Sequence, residues 1–179
     1  MLMAARSRHR LRAVGWMAAM LGALACSAAV AAPAGAATVC AGHQDETYAP
    51  GLTNTTQSTT LNITNTLSTC LSLTDPTITS GSSTATINAP FSCQSPLDSG
   101  SAATTIHWNT GQTSTFSYTY TSTTVNGTIQ VEQTGTITTG KFVGRSAIGL
   151  VTVPALDPLA CATSTGVTSL TGPYTLAIL

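Results

Sequence analysis

The chain has 179 residues, of which 42% are apolar and only 7% charged, and its formal net charge is zero. Four of the six basic residues (Arg6, Arg8, Arg10 and Arg12) fall at the extreme N-terminus, so residues 38–179 keep Lys141 and Arg145 against six carboxylates, a net −4. That balance excludes partners held by phosphate contacts, namely nucleic acid and anionic membrane surfaces.

Residues 1–37 read as a secretory signal peptide. The arginines form a basic n-region, Val14 to Leu24 is an apolar h-region too short to span a bilayer, and small residues lead to Ala34-Gly35-Ala36-Ala37. Cleavage after Ala36 or Ala37 fits better than cleavage near Ala29-Val30-Ala31. No adjacent arginine pair marks a twin-arginine signal, so the general secretory route is expected. Cys26 suggests a lipid anchor only weakly, because Ala23 stands where such a site usually has leucine. The expectation is a secreted, extracellular chain with no transmembrane segment after cleavage. Residues 38–179 then form a single domain, long enough for its own core.

Threonine fills 35 of those 142 positions. A disordered Ser/Thr-rich stalk is one reading of that bias. Sparse proline and apolar residues recurring every second position favour strands instead, since β-branched threonine suits a pleated, half-wet surface.

Gly42 to Gly51 reads as an irregular lead-in closed by Pro50-Gly51. Thr59 to Leu67 alternates, with Leu61, Ile63 and Leu67 on one side, and predicts a first strand. Asp75-Pro76 and Ser80-Gly81-Ser82 are turn signals. In Thr84 to Cys93, Ala85, Ile87, Ala89, Phe91 and Cys93 share a face, and Pro90 places this strand at an edge or breaks it. Asp98-Ser99-Gly100 turns the chain into a short strand with Thr104, Ile106 and Trp108.

Thr115 to Thr138 predicts a β-hairpin about a type I′ turn at Asn126-Gly127. That turn sets Thr124 against Ile129, Ser122 against Val131, Tyr120 against Gln133, Tyr118 against Gly135 and Phe116 against Ile137. This is the core face. Thr119, Thr121, Thr123, Thr134, Thr136 and Thr138 form the opposite, wet face. Phe142 to Val153 reads as a mixed apolar strand interrupted by Gly144 and Gly149, Pro154 to Pro158 as a loop, and Tyr174 to Leu179 as a closing strand.

Cys40, Cys70, Cys93 and Cys161 form an even set in an exported chain, hence two disulfides with three possible connectivities. Their spacings of 30, 23 and 68 residues contain no metal-binding pair. Seven to nine short strands favour an antiparallel β-sandwich over a barrel. Cys93, Trp108 and Cys161 are spaced like the cysteine–tryptophan–cysteine set of an immunoglobulin-like sandwich, although Leu159 replaces its tyrosine corner. On that spacing the pairing Cys93–Cys161 is expected across the core, with Cys40–Cys70 tying down the N-terminus.

Candidate chemistry is thin. His43 and His107 are the only histidines after the signal. His107 points off the core face, and no Gly-x-Ser-x-Gly elbow accompanies either. Adjacent Asp45 and Glu46 point apart in an extended segment, which is wrong for flanking one glycosidic bond. Asp75, Asp98 and Asp157 sit as turn residues. A metal site at His43-Gln44-Asp45-Glu46 is disfavoured in an irregular lead-in. No catalytic residue, metal ligand or cofactor is therefore assigned. The threonine face is the one candidate binding surface, a grid suited to a repeating lattice such as cell-wall or extracellular polysaccharide. Aromatic platforms for sugar are limited to Tyr48 and Tyr174, expected to be exposed.

Thr47-Tyr48-Ala49-Pro50-Gly51-Leu52-Thr53, Asp75-Pro76 through Thr79-Ser80-Gly81, Trp108 through Gly111-Gln112-Thr113-Ser114-Thr115-Phe116, and Gly135-Thr136-Ile137-Thr138 through Gly140 together resemble an uncharacterised family of secreted actinobacterial, Streptomyces-like, all-β proteins. The resemblance implies export and a shared fold and supplies no functional residues. The expectation is a non-enzymatic extracellular or envelope-associated protein, or alternatively a surface- or carbohydrate-binding module using the threonine face.

Overall fold

The computed structural model describes residues 37–179; the expected signal peptide and Cys26 lie outside the described residues, apart from Ala37. Eight antiparallel strands follow one another around a closed barrel: β1 (Thr38–Leu52), β2 (Gln57–Ser72), β3 (Gly81–Phe91), β4 (Gly100–Trp108), β5 (Thr113–Val125), β6 (Thr128–Gly140), β7 (Ser146–Pro154) and β8 (Val167–Ile178). A 3-10 turn at Ser95–Leu97 and a one-turn helix, α1 (Pro158–Cys161), are the helical elements among the described residues.

The expected sandwich is wrong. β1, expected as an irregular lead-in, is a 15-residue strand. It pairs with β2 on one side and with β8 on the other, from Thr38↔Ile178 to Thr47↔Ser169, and so closes the sheet on itself. The immunoglobulin-like spacing is a coincidence of loop lengths. Cys93 lies just beyond the end of β3, whereas Trp108 pairs with Gly81 at the start of that strand. Tryptophan and disulfide thus belong to opposite ends of the barrel. The pairing itself is as expected: Cys40–Cys70 bridges β1 and β2, and Cys93–Cys161 ties the segment after β3 to α1.

The central hairpin forms in the expected register, Phe116↔Ile137 through Thr124↔Ile129, about Asn126 (φ 49°) and Gly127 (φ 77°). Both turn positions need the left-handed region, which Asn and Gly tolerate best.

One half of the barrel interior is solid. Leu67, Ile106, Trp108, Phe116, Ile137, Leu176 and Ile178 are buried there, each at most 3% exposed. Ile78, from the loop after β2, is fully buried with them. Trp108 donates its indole N–H to Ser114 Oγ (2.8 Å), and Phe142 meets its ring edge-on at 5.7 Å. Outside this end, Lys141 Nζ contacts Asp75 Oδ2 at 2.6 Å and holds the loop after β2 against the β6–β7 turn.

Closure between β3 and β4 rests on two residue pairs, Gly81↔Trp108 and Ser82↔His107. Gly81 is required here, since a Cβ would come within 2.8 Å of the Trp108 ring. Beyond these pairs the two strands no longer pair with each other. Pro90 lies in that unpaired stretch of β3, where a missing N–H costs no ladder bond on the β4 side.

Candidate functional site

The second half of the interior is hollow, and the sequence explains why. An eight-stranded barrel is just wide enough for side chains to fill or for one small ligand to occupy. Inward positions of the solid half carry Trp, Phe, Leu and Ile, whereas the corresponding positions of β3 and β4 in the other half include Ala85, Ala89 and Ala102. The result is a cavity of about 620 Å³.

Consecutive residues of β3 (Ala85, Thr86, Ile87) and of β4 (Ser101 to Thr104) line this cavity. Neighbouring strand residues point to opposite faces, so consecutive lining means the space passes between the strand edges. The cavity therefore opens sideways through the wall between β3 and β4. Ser95, Pro96 and Asp98, on the segment anchored by Cys93–Cys161, form part of its rim. Ile87 is 40% exposed although it faces inward opposite Leu61, because the surface it shows is cavity surface.

Most of the lining is apolar: Leu61, Ile63, Phe91, Ile129, Val131, Val153 and Leu170. Against it stands a compact polar wall on β1 and β2. Gln44, Glu46 and Tyr48 alternate inward along β1; Gln44 Nε2 donates to Glu46 Oε1 at 2.6 Å, and the Tyr48 hydroxyl donates to Glu46 Oε2. Asn65 sits directly opposite Gln44 on β2, 7% exposed, and donates through Nδ2 to Ser83 Oγ at 3.0 Å. Its Oδ1 is buried with no hydrogen-bond partner among the described residues. Deeper in, the Tyr174 hydroxyl donates to Gln133 Oε1 at 3.2 Å. Gly149 leaves the room for that amide, since a Cβ there would lie 2.4 Å from Gln133 Oε1.

Burial pushes the Glu46 carboxyl above the ordinary glutamate range, and the hydrogen bonds from Tyr48 and Gln44 oppose that rise. Burial also raises the Tyr48 phenol, with the charge and hydrogen bond of Glu46 adding to it. Tyr118 and Tyr174 are raised by burial first and by a neighbouring tyrosine second. Tyr118 and Tyr120 line the cavity with their rings 6.5 Å apart.

The residues singled out from sequence fall elsewhere. Asp45 and Glu46 point apart as expected, but the split has a consequence: His43 Nε2 and Asp45 Oδ2 meet at 3.2 Å on the outside, while Glu46 faces the cavity. Tyr48 and Tyr174, expected in solvent, are 6% and 3% exposed. Both belong to strand faces that the irregular lead-in and the late start of β8 concealed. His107 is exposed, and Asp157 caps α1 by accepting from Leu159 N at 2.8 Å. Thr119, Thr121, Thr123, Thr134, Thr136 and Thr138 are all exposed on the outer wall. Thr119 and Thr138 turn their hydroxyls back onto sheet carbonyls.

Asn65 was missed, and Gln44 and Glu46 were weighed only within a carboxylate pair or a metal site in an irregular lead-in and set aside. The signal available was Gln44-x-Glu46-x-Tyr48, a period-two run in phase with Cys40, which makes its polar members inward ones. No protein-family model, curated protein or solved structure matches this chain, so the reading of its role rests on this cavity.

Proposed function

We propose that this is a secreted, non-catalytic binding protein that takes up one small amphipathic molecule through the β3–β4 opening. The observation that carries the reading is the 620 Å³ interior space, mostly apolar with a few convergent polar groups. That size and lining are what small-molecule sites require. Glu46 and Tyr48 hydrogen-bond to each other rather than to a histidine, and His43 and His107 lie outside, so a binding role fits better than acid–base catalysis. Export is supported by the leader pattern of residues 1–37 and by two disulfides, which persist in oxidising compartments. Ala37 donates to Ile178 O at 2.7 Å and accepts from Leu73 N at 2.8 Å, which favours cleavage after Ala36 over cleavage after Ala37. Membership of the actinobacterial family is consistent with these features and rests on the sequence resemblance alone.

N-phenyl-1-naphthylamine, which brightens and shifts to the blue in apolar surroundings, tests the reading. One equivalent should bind wild-type protein, and Ala89→Phe, which puts a ring into the space, should weaken binding while far-UV circular dichroism stays unchanged. Absence of a blue shift in wild type, or unaltered uptake by that variant, would contradict it.

The threonine rows support a second reading, a flat surface for an extracellular polysaccharide. Six exposed threonines on adjacent strands favour it; the loss of two hydroxyls to backbone carbonyls weakens it. Retention on insoluble glucan or chitin, lost on changing Thr121 and Thr134 to lysine, is its test.

A further inference from the structure

Resting on the cavity reading, we propose that the occupant carries a primary ammonium group on an apolar body, and that Glu46 receives that group. Three independent observations lead there.

The first is charge. Glu46 lies on the cavity wall and Asp98 on its rim, while Lys141 and Arg145, the only Lys or Arg among the described residues, do not line it. Lys141 contacts Asp75, and Arg145 donates to Leu179 O at 3.2 Å. A carboxylate in a largely apolar space is costly unless it meets an opposite charge. The described residues supply Glu46 with two hydrogen-bond donors and no cation, so the electrostatic partner is left for the occupant.

The second is the acceptor capacity left on Glu46. Gln44 Nε2 donates to one carboxylate oxygen and the Tyr48 hydroxyl to the other, so each oxygen keeps a lone pair for a further donor. A primary ammonium brings both charge and donors to them. A quaternary ammonium has no donor, and an alcohol has one and no charge.

The third is aromatic lining. Tyr48, Tyr118 and Tyr120 face the space, and electron-rich ring faces attract cations in desolvated sites. The apolar body then runs past Ile63, Ile129 and Val131 towards the opening.

The test is displacement of N-phenyl-1-naphthylamine by n-octylamine, n-octanol and octanoate at equal chain length. Octylamine should displace the probe at least tenfold more tightly than octanol, and octanoate should be weakest. Glu46→Gln should still bind the probe, which shows the fold and cavity intact, but should bring octylamine to within about twofold of octanol. Octylamine affinity should fall as the pH is lowered through the Glu46 pKa. Of the other groups facing Glu46, its neighbours on β2 and β8 are Ile63 and Leu170, burial raises the phenols of Tyr48 and Tyr118, Tyr120 is a third phenol on the wall, and Asp98 sits apart at the rim. Equal displacement by amine and alcohol, or undiminished preference for the amine in Glu46→Gln, overturns this proposal alone. Failure of the probe to bind wild type overturns the cavity reading and this proposal with it.

Discussion

Ile106 and Ile87 both face the barrel interior from adjacent strands, one in each half, and the same truncation should cost very different amounts. Ile106 is 2% exposed among Phe116, Trp108 and Leu67. Ile106→Ala removes three carbon groups at about 0.8 kcal/mol each, or about 2.4 kcal/mol. A void of roughly 75 Å³ at about 24 cal/mol per Å³ adds about 1.8 kcal/mol, for a total of about 4 kcal/mol. Ile87 is 40% exposed to a space that is already empty. Its truncation forfeits about three-fifths of the transfer term and creates no new void, so about 1.4 kcal/mol is expected. Urea unfolding of both variants, read at unchanged m-value, measures the gap of about 2 to 3 kcal/mol. Equal losses would refute the division into a solid and a hollow half.

Further predictions concern charge and cross-links. Glu46→Gln should melt higher than wild type at pH 7, because a carboxyl held above its ordinary value of 4.5 makes the folded state bind protons more readily and lose stability as pH rises. The advantage should vanish below that value, and thermal melts from pH 4 to 8 check both arms. Asp75 behaves oppositely: hydrogen bonds from Lys141 and Thr77 lower its carboxyl to about 2, so its contribution is complete above pH 4 and disappears as pH falls through 2. Lys141→Met should flatten that part of the acid-unfolding curve. Opening either disulfide with Cys→Ala pairs should cost about 3.5 to 4.5 kcal/mol on the chain-entropy account, since the loops span 30 and 68 residues. The Cys93 and Cys161 pair of changes should also weaken probe uptake, because that bridge anchors the cavity rim, whereas the Cys40 and Cys70 pair should not.

Much of the local structure was readable from residue order because local chemistry decides it. Asn126-Gly127 dictates a turn, the turn dictates register, and period-two alternation then assigns Phe116, Ile129 and Ile137 inward and the threonines outward. Closure was not readable. It depends on β1 meeting β8, and β1 breaks the expected alternation at Gln44 and Glu46, the inward positions that serve the cavity rather than the core. The same property concealed the site: a strand with polar residues on its inner face looks like a loop when only apolar periodicity is counted. Ala85, Ile87, Ala89 and Phe91 were recognised as one apolar face, but sequence does not distinguish a face that meets packed neighbours from one that meets empty space. Small alanines at alternate positions were the available hint.

A crystal structure of the protein soaked with n-octylamine tests the central claim most directly. The account predicts density for one molecule inside the barrel, its nitrogen within hydrogen-bonding distance of the Glu46 carboxylate, and its chain directed towards the gap between β3 and β4. An interior filled by side chains, or an amine bound only on the outer wall, would contradict it.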